Sequence, residues 1–198
     1  TDPNSYAYKI PNTEKDPEGN FYGWEGIYAI NNYLYLTTPE KVYRTQNGAF
    51  SPLEQLSVTS RYYKHLVQIG NDLYAWVDNE GVYKQIGLSG DFVIHEVMNT
   101  TAFMFAVGND LYIYNGATLE KQTNCEGAFQ LVNGSYIDFV SCNMHVMNGD
   151  IYACGKTEQS PQRSLYRWKI GSSSWERLIN AERISGITSI GNDLFCSS

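Results

Sequence analysis

The sequence has no apolar run long enough to cross a membrane, because a spanning helix needs about 20 consecutive apolar residues. Basic residues are also scarce: 14 lysines and arginines stand against 21 acidic residues, which gives a net charge of −7. A phosphate-binding surface requires the opposite sign, so the composition argues against nucleic acid as a partner. No window shows a sustained 3.6-residue hydrophobic period, so we expect almost no helix.

The four cysteines, at positions 125, 142, 154 and 196, form no CxxC pair. Zinc knuckles and dithiol redox motifs depend on that spacing, so the sequence predicts no metal site and no cofactor. Free thiols are therefore favoured over a disulfide framework. We expect Cys154 and Cys196 to be reduced and buried.

Aromatic side chains are abundant, and 16 of the 28 are tyrosines, a bias that favours strands over helices. Hydrophobic residues make up 42% of the 198-residue chain, which is typical of a globular protein. A chain of this length can bury a core without disulfides or metals. The composition therefore predicts an all-β globular protein.

One six-residue phrase recurs along the chain. Its copies are Ile30–Tyr35, Ile69–Tyr74, Val107–Tyr112, Met147–Tyr152 and Ile190–Phe195. Their aliphatic anchors are 39, 38, 40 and 43 residues apart, which is the spacing of a structural repeat.

Each copy has the chemistry of a β-hairpin. The centre is a Gly-Asn or Asn-Gly pair in four copies and Asn31-Asn32 in the first, which is degenerate; these residues tolerate the positive φ of a tight two-residue turn. Apolar residues alternate on both sides of the turn, so we name the flanking strands A and B. Strand B carries an aromatic residue and then an apolar one, as in Tyr74 and Ala75. Successive strand residues point to opposite faces, so both faces of each sheet are predicted to be buried.

Two further strands complete each repeat. Strand C has an apolar, an aromatic and a basic residue in sequence, as in Val82-Tyr83-Lys84, with Glu120 as the exception. Strand D is marked by one aromatic residue, as at Phe92 and Trp175. The repeat is thus predicted to be a four-stranded antiparallel meander. A polar insertion between strands B and C of the fourth repeat, residues 156–164, is predicted to be a loop.

The fifth repeat stops inside strand B, and its missing strands have counterparts at the N-terminus. Ala7-Tyr8-Lys9 matches strand C, and Phe21 matches the aromatic residue of strand D. The sequence therefore predicts a single-domain, five-bladed β-propeller of four-stranded antiparallel blades, whose last blade is closed by the N-terminal strands. The blades span approximately residues 22–56, 62–97, 102–132, 142–179, and 184–198 completed by 5–22.

The chain resembles β-propeller repeat proteins over nearly its whole length. Residues 165–178 resemble one kelch blade, although the double glycine that follows strand B in kelch repeats is missing here. In size and number of blades the chain is similar to tachylectin-type propellers. That resemblance implies a sugar-binding propeller, and it assigns no ligand residue.

The candidate ligand-binding residues lie where the repeats diverge, on the face that carries the D-to-A and B-to-C connections. They are Trp24, Glu25, Arg61, Tyr62, Tyr63, His65, Asn99, Tyr136, Asp138, Asn143 and Arg183. Aromatic rings beside amides and charges suit a sugar, but Trp, Tyr and Arg also dominate protein interfaces. An equally open alternative is that Tyr62 and Tyr63 simply continue strand A.

Other chemistry has less support in the sequence. The A-to-B turns contain Asp72, Asp110, Asp150 and Asp193, one carboxylate per turn. Calcium requires six to eight oxygens, so a structural role in the turn is favoured for these aspartates. His145 is expected to pack against a neighbouring blade, and His95 to be solvated. Glu25 and Asp138 are the acidic candidates for a glycoside hydrolase, with no geometry to support them.

We therefore predict a non-catalytic, monomeric recognition domain for a glycan or a protein, with carbohydrate placed ahead of protein. A protein-interaction propeller and a repeat scaffold without a ligand remain alternatives, and a glycoside hydrolase is the third.

Overall fold

A computed structural model describes most of the chain and shows an all-β protein. The described residues are 26–46, 53–88, 90–100, 102–116, 118–133, 144–157, 160–180, 184, 186–190 and 192–197. Two short 3-10 helices, Ile86–Leu88 and Thr123–Cys125, are the helical elements of this part of the chain. Neither they nor any other described segment forms an apolar helix that could span a membrane.

The strands form four four-stranded antiparallel sheets and one two-stranded sheet. Blade 1 contains β1 (Gly26–Ile30), β2 (Tyr33–Thr37), β3 (Val42–Gln46) and β4 (Glu54–Gln55). Blade 2 contains β5 (Tyr63–Ile69), β6 (Asp72–Val77), β7 (Gly81–Gln85) and β8 (Val93–Val97). Blade 3 contains β9 (Phe103–Val107), β10 (Asp110–Tyr114), β11 (Leu119–Gln122) and β12 (Gln130–Asn133). Blade 4 contains β13 (Met144–Met147), β14 (Asp150–Thr157), β15 (Ser160–Trp168) and β16 (Glu176–Asn180), and the fifth sheet contains β17 (Gly186–Ile190) and β18 (Asp193–Ser197).

Turn chemistry sets the start of each blade. Asn31, Gly70, Gly108 and Asn148 all have positive φ between 54° and 61° at the A-to-B turn. Only glycine and, less readily, asparagine adopt this conformation at low cost, which explains the recurring Gly-Asn and Asn-Gly pairs.

The blades pack face to face around shared cores. One apolar cluster joins each successive pair of blades, and the inner strands contact one another in chain order from β1 through β5, β9 and β13 to β17. In β6, Leu73 and Ala75 face blade 1 while Tyr74 and Trp76 face blade 3. The prediction that both faces of each sheet are buried is therefore confirmed for this strand, and the arrangement is that of a β-propeller.

The fifth sheet is where the structure shows less than the sequence predicts. Four complete blades are seen, and β17 and β18 pair with no third strand among the described residues. Residues 1–25, from which the predicted closure takes its strands, lie outside the described part of the chain. The five-blade count and the N-terminal closure thus remain predictions.

Three details differ from the sequence-based expectations. Residues 156–164 do not form a simple loop, because β14 and β15 extend into a long hairpin that reaches Thr157 and Ser160. Cys154 is a buried free thiol as predicted, but Cys196 is exposed because the strand that contains it lies at the sheet edge. His95 is half-buried rather than solvated, and its Nε2 lies 2.8 Å from Oε1 of Gln122 in blade 3.

Candidate functional site

The inner strands lie side by side around a central space, which we call the channel, and a cavity lies at each end of it. We call the cavity at the start of the inner strands, on the face with the B-to-C and D-to-A connections, the channel mouth. Its volume is about 490 Å³. All five sheets contribute to its lining, which consists of Gly26, Ile27, Tyr28, His65, Phe103, Met104, Phe105, Met144 and Ile187.

His65 occupies a strained position at this mouth. It lies in a β-bulge of β5, where three steps from Lys64 to Val67 oppose two steps on β6. Its φ is +49°, a conformation that favours glycine, so a side chain here carries a conformational cost. The bulge turns the imidazole towards Phe103 of blade 3, with 5.1 Å between the ring centroids.

Burial holds the imidazole of His65 in its neutral form, and a backbone hydrogen bond ties the residue to the neighbouring blade. Its backbone N–H donates a 3.0 Å hydrogen bond to the hydroxyl of Tyr28 in blade 1. Burial, assisted by the nearby charge of Lys64, lowers the pKa of His65 to about 4. Because the imidazole is neutral, His65 adds no charge to the mouth near neutral pH.

The opposite end of the channel is an open depression with polar contacts between neighbouring blades. Its cavity has a volume of about 560 Å³. Asn31 donates a 2.9 Å hydrogen bond to Gln68, and Nε2 of His145 lies 2.7 Å from the hydroxyl of Ser189. Burial lowers the pKa of His145. The structure thus brings His145 against the neighbouring inner strand, as the register of the repeats predicts.

A second cleft, between blades 2 and 3, shares His65 and Phe103 with the channel mouth. We call it the side cleft; its volume is about 340 Å³. Its lining is Lys64, His65, Asp78, Ala102, Phe103, Tyr114, Asn115 and Gly116. Nζ of Lys64 lies 2.6 Å from Oδ2 of Asp78, whose Oδ1 also accepts a 2.8 Å hydrogen bond from Nε1 of Trp76. The two charges of this cleft therefore neutralise each other.

Arg61 is held within its own blade. Its Nε donates a 3.0 Å hydrogen bond to Oε2 of Glu80, and its guanidinium lies over the ring of Tyr83. Hydrogen bonds from Tyr83 and Arg61 lower the pKa of Glu80. A ligand would have to compete with these contacts, so Arg61 supports the shape of the face more than it offers a free charge.

The remaining described candidates differ in their access to a ligand. Tyr63 has no exposed surface and packs on Tyr83 and Phe92 in the core, so the alternative in which it continues strand A describes its position. Tyr62 is half-buried beneath Nζ of Lys64, and Asn99 is exposed in the connection that leads to β9. Trp24, Glu25, Tyr136, Asp138, Asn143 and Arg183 lie outside the described residues.

The turn aspartates are used within the blades. Asp72 pairs with Lys84 at 2.7 Å, and Asp110 pairs with Lys121 at 3.2 Å. Each also accepts a backbone N–H, from Gly87 and Asn124 respectively. The hydrogen bond from Lys84 lowers the pKa of Asp72. Among the described residues no group of three His, Cys, Asp or Glu side chains is placed to hold a metal.

Sequence reasoning missed several residues of the mouth, above all Ile27, Tyr28 and Phe103. The repeat pattern made them look like ordinary strand positions. In the structure β5 has seven residues where β1, β9 and β17 have five, and the surplus accommodates the bulge at His65.

No protein-family model and no curated protein matches this chain. Several solved structures resemble it in fold. A putative TolB from Agrobacterium tumefaciens has a TM-score of 0.62 at 14% identity, over 81% of this chain and 63% of that one. YCF48 from Cyanidioschyzon merolae has a TM-score of 0.58 at 13% identity, over 83% and 59% of the two chains. The computationally designed Ika8 protein has a TM-score of 0.57 at 10% identity, over 90% and 58%.

This chain therefore spans less than two thirds of the length of each of those structures. At such low identity the similarity concerns the fold alone, which is a β-propeller.

Proposed function

We propose that this chain is a non-catalytic recognition domain that binds a peptide segment of a protein partner through the channel mouth. The observation that carries the proposal is the mouth itself, a concave depression of about 490 Å³ whose lining comes from all five sheets. Ligand sites are typically concave, and this one combines apolar side chains with exposed polar atoms.

The mouth suits an apolar or aromatic side chain as its anchor. Ile27 is 59% exposed at its edge, and Phe103, Met144 and Ile187 add further apolar surface. A large side chain inserted into such a depression is the usual form of an interface hot spot.

Charge favours a basic peptide around that anchor. The chain carries a net charge of −7. On the loop face, the cations of Arg61 and Lys64 are already paired with Glu80 and Asp78. An acidic protein attracts positively charged partners over distances up to the screening length, so salt should slow their association.

Carbohydrate is the second candidate, and the side cleft favours it. Phe103 provides an aromatic wall there, and Asn115 and Asp78 provide polar atoms that suit hydroxyl groups. Trp24, Glu25, Tyr136, Asp138, Asn143 and Arg183 remain candidate contacts of either ligand on the same face. A glycoside hydrolase remains third, since its proposed acids, Glu25 and Asp138, have no described geometry.

The proposal includes a single monomeric domain with five blades, residues 22–56, 62–97, 102–132, 142–179, and 184–198 completed by 5–22. The five inner strands that line one cavity support this count, because a ring of five blades would surround a common channel.

A two-arm screen tests the ligand class. The folded protein is presented to a displayed library of random 12-residue peptides and, in parallel, to a glycan array. We expect enrichment of peptides with one large apolar residue flanked by lysine or arginine. Binding of a defined sugar class with no enriched peptide would instead show that the protein is a lectin. No binding in either arm would favour a scaffold without a ligand.

A further inference from the structure

Strand β18 differs from the four other B strands in what covers it. Phe195 is 48% exposed, whereas the aromatic residues at the equivalent positions are almost completely buried. These are Tyr35 at 0%, Tyr74 and Tyr112 at 2%, and Tyr152 at 7%. In the fifth sheet as described, Phe195 therefore lacks the packing neighbours that bury its counterparts in the other blades.

In the complete blades the third strand runs beside this aromatic residue. In each of these four blades, a basic residue of strand C pairs with this aromatic residue of strand B. The pairs are Tyr35 with Arg44, Tyr74 with Lys84, Tyr112 with Lys121, and Tyr152 with Arg167. The residue before that basic one pairs with the residue after the aromatic one, as Tyr83 does with Ala75.

The same basic residue also reaches the aspartate that begins strand B. Lys84 pairs with Asp72, Lys121 with Asp110, and Arg167 with Asp150, at 2.7, 3.2 and 3.9 Å. Asp193 occupies this position in β18, where it is exposed, and no described basic side chain forms an ion pair with it. Among the described residues, the fifth sheet thus presents a carboxylate without a basic partner beside a half-exposed aromatic ring.

We propose that the outer edge of β18 is the docking site for the segment Ala7-Tyr8-Lys9 of the same chain, in a fixed register. Lys9 then lies opposite Phe195 and forms the fourth Asp–basic ion pair with Asp193, and Tyr8 lies opposite Cys196. The inference rests on the five-blade ring of the proposed function and adds the residue pairs that close it.

Charge complementarity with Asp193 and the length of the preceding chain favour Ala7-Tyr8-Lys9 as the occupant of this edge. The triplet has the apolar, aromatic and basic order that strand C shows in blades 1, 2 and 4, and its lysine complements Asp193. It lies among the 25 N-terminal residues that precede β1, so the chain has the length to supply both missing strands. A groove of about 290 Å³ beside Phe195 and Cys196 leaves space on the sheet for the incoming side chains.

The natural thiol of Cys196 provides a test of the register. Directly paired residues of antiparallel strands have Cα atoms about 4.5–5.5 Å apart, which is within the range that a disulfide allows. The variant Tyr8→Cys is therefore oxidised with diamide and its disulfides are mapped by mass spectrometry. Lys9→Cys is the matched control, because its side chain would point to the opposite face.

We expect at least a tenfold excess of the 8–196 bridge over the 9–196 bridge, within single chains. Equal yields from the two variants, or no bridge to Cys196, would overturn the register. An 8–196 bridge that joins two chains would assign the edge to a second copy instead.

Alkylation of the unaltered chain gives an independent readout if Tyr8→Cys fails to fold. Docking predicts that Cys196 reacts with iodoacetamide as slowly as the buried Cys154, whereas Lys9→Glu accelerates the reaction of Cys196 several-fold. Pairing Lys9→Glu with Asp193→Lys should restore the slow reaction. A Cys196 that reacts like a free thiol in the unaltered chain would contradict the docking. Peptide binding at the channel mouth is measured separately, so either proposal can fail alone.

Discussion

The backbone N–H of His65 donates a 3.0 Å hydrogen bond to the hydroxyl of Tyr28, and this contact joins blade 2 to blade 1 at the channel mouth. The β-bulge is what makes the contact available, because its extra residue leaves the ladder and frees this N–H. Burial raises the pKa of Tyr28, so its hydroxyl stays protonated. One inter-blade contact therefore fixes the shape of the proposed binding site.

Replacement of Tyr28 by phenylalanine removes the acceptor for this N–H. We expect Tyr28→Phe to lower the free energy of unfolding by about 1–2 kcal/mol, the usual cost of an unsatisfied, partly buried donor. Urea denaturation measures the change. Tyr33→Phe is the control, since its ring stays beneath Arg44, and it should change stability by less than about 0.5 kcal/mol. Equal effects of the two variants would contradict the role of the Tyr28 hydroxyl.

The lowered pKa of His65 predicts a pH dependence of stability. Its pKa falls from 6.5 to about 4 on folding, so between these values the unfolded chain holds a proton that the folded chain does not. The free energy of unfolding should therefore fall as pH drops from 6.5 to 4, by up to about 3 kcal/mol from this group.

The variant His65→Asn isolates that contribution, because asparagine tolerates positive φ and does not titrate. Chemical denaturation at pH 7.5 and 4.5 should show a smaller loss of stability in the variant than in the parent. Carboxylates and His145 contribute equally to both proteins, so an unchanged pH difference would refute the prediction.

Gly81 is required by both conformation and space. Its φ is +120°, and a Cβ there would lie 2.2 Å from the backbone oxygen of Glu96. Gly81→Ala should therefore destabilise blade 2 by more than about 2 kcal/mol. Gly70→Ala is the matched control, because a Cβ meets nothing within 4 Å there, and its positive φ alone should cost about 1 kcal/mol. Thermal unfolding of the two variants should rank them in this order.

The Asp–basic pairs are predicted to contribute modestly to stability. Asp72→Asn weakens both the contact with Lys84 and the hydrogen bond from the Gly87 N–H. We expect a loss of about 1 kcal/mol in low salt, because partly exposed ion pairs are weak. The difference from the parent should shrink in 1 M NaCl through screening. A difference that grows with salt would be inconsistent with this assignment.

The repeat made most of the fold predictable. Turn glycines and asparagines, aromatic residues and basic residues recur about every 40 residues, and the described ones in the four complete blades lie in or beside a strand. The burial of residues at a sheet edge was harder to predict. Exposure of Cys196, for example, depends on whether another strand pairs with β18. Residues 156–164 looked like a loop because polar composition does not distinguish a loop from an exposed hairpin.

The candidate site was predictable as a face but not as a set of contacts. Tyr63 had the right residue type, yet the alternation of strand faces turns it into the core. Arg61 is held by Glu80, a residue of the next turn that the sequence does not connect with it. The central position of Phe103 follows from the meeting of separate blades in space, which no local pattern encodes.

The most direct test of the central proposal is a calorimetric titration of an enriched basic peptide into two isoleucine variants. Ile27→Lys places a charge at the edge of the channel mouth, whereas Ile170→Lys places one in a distant turn between β15 and β16; both side chains are at least 46% exposed, so both variants should fold. We predict at least tenfold weaker binding for Ile27→Lys, since loss of an apolar contact with the anchor of the peptide costs about 1.4 kcal/mol or more. Binding to Ile170→Lys should stay within about twofold of the parent. Equal affinities of the two folded variants would show that the channel mouth is not the binding site.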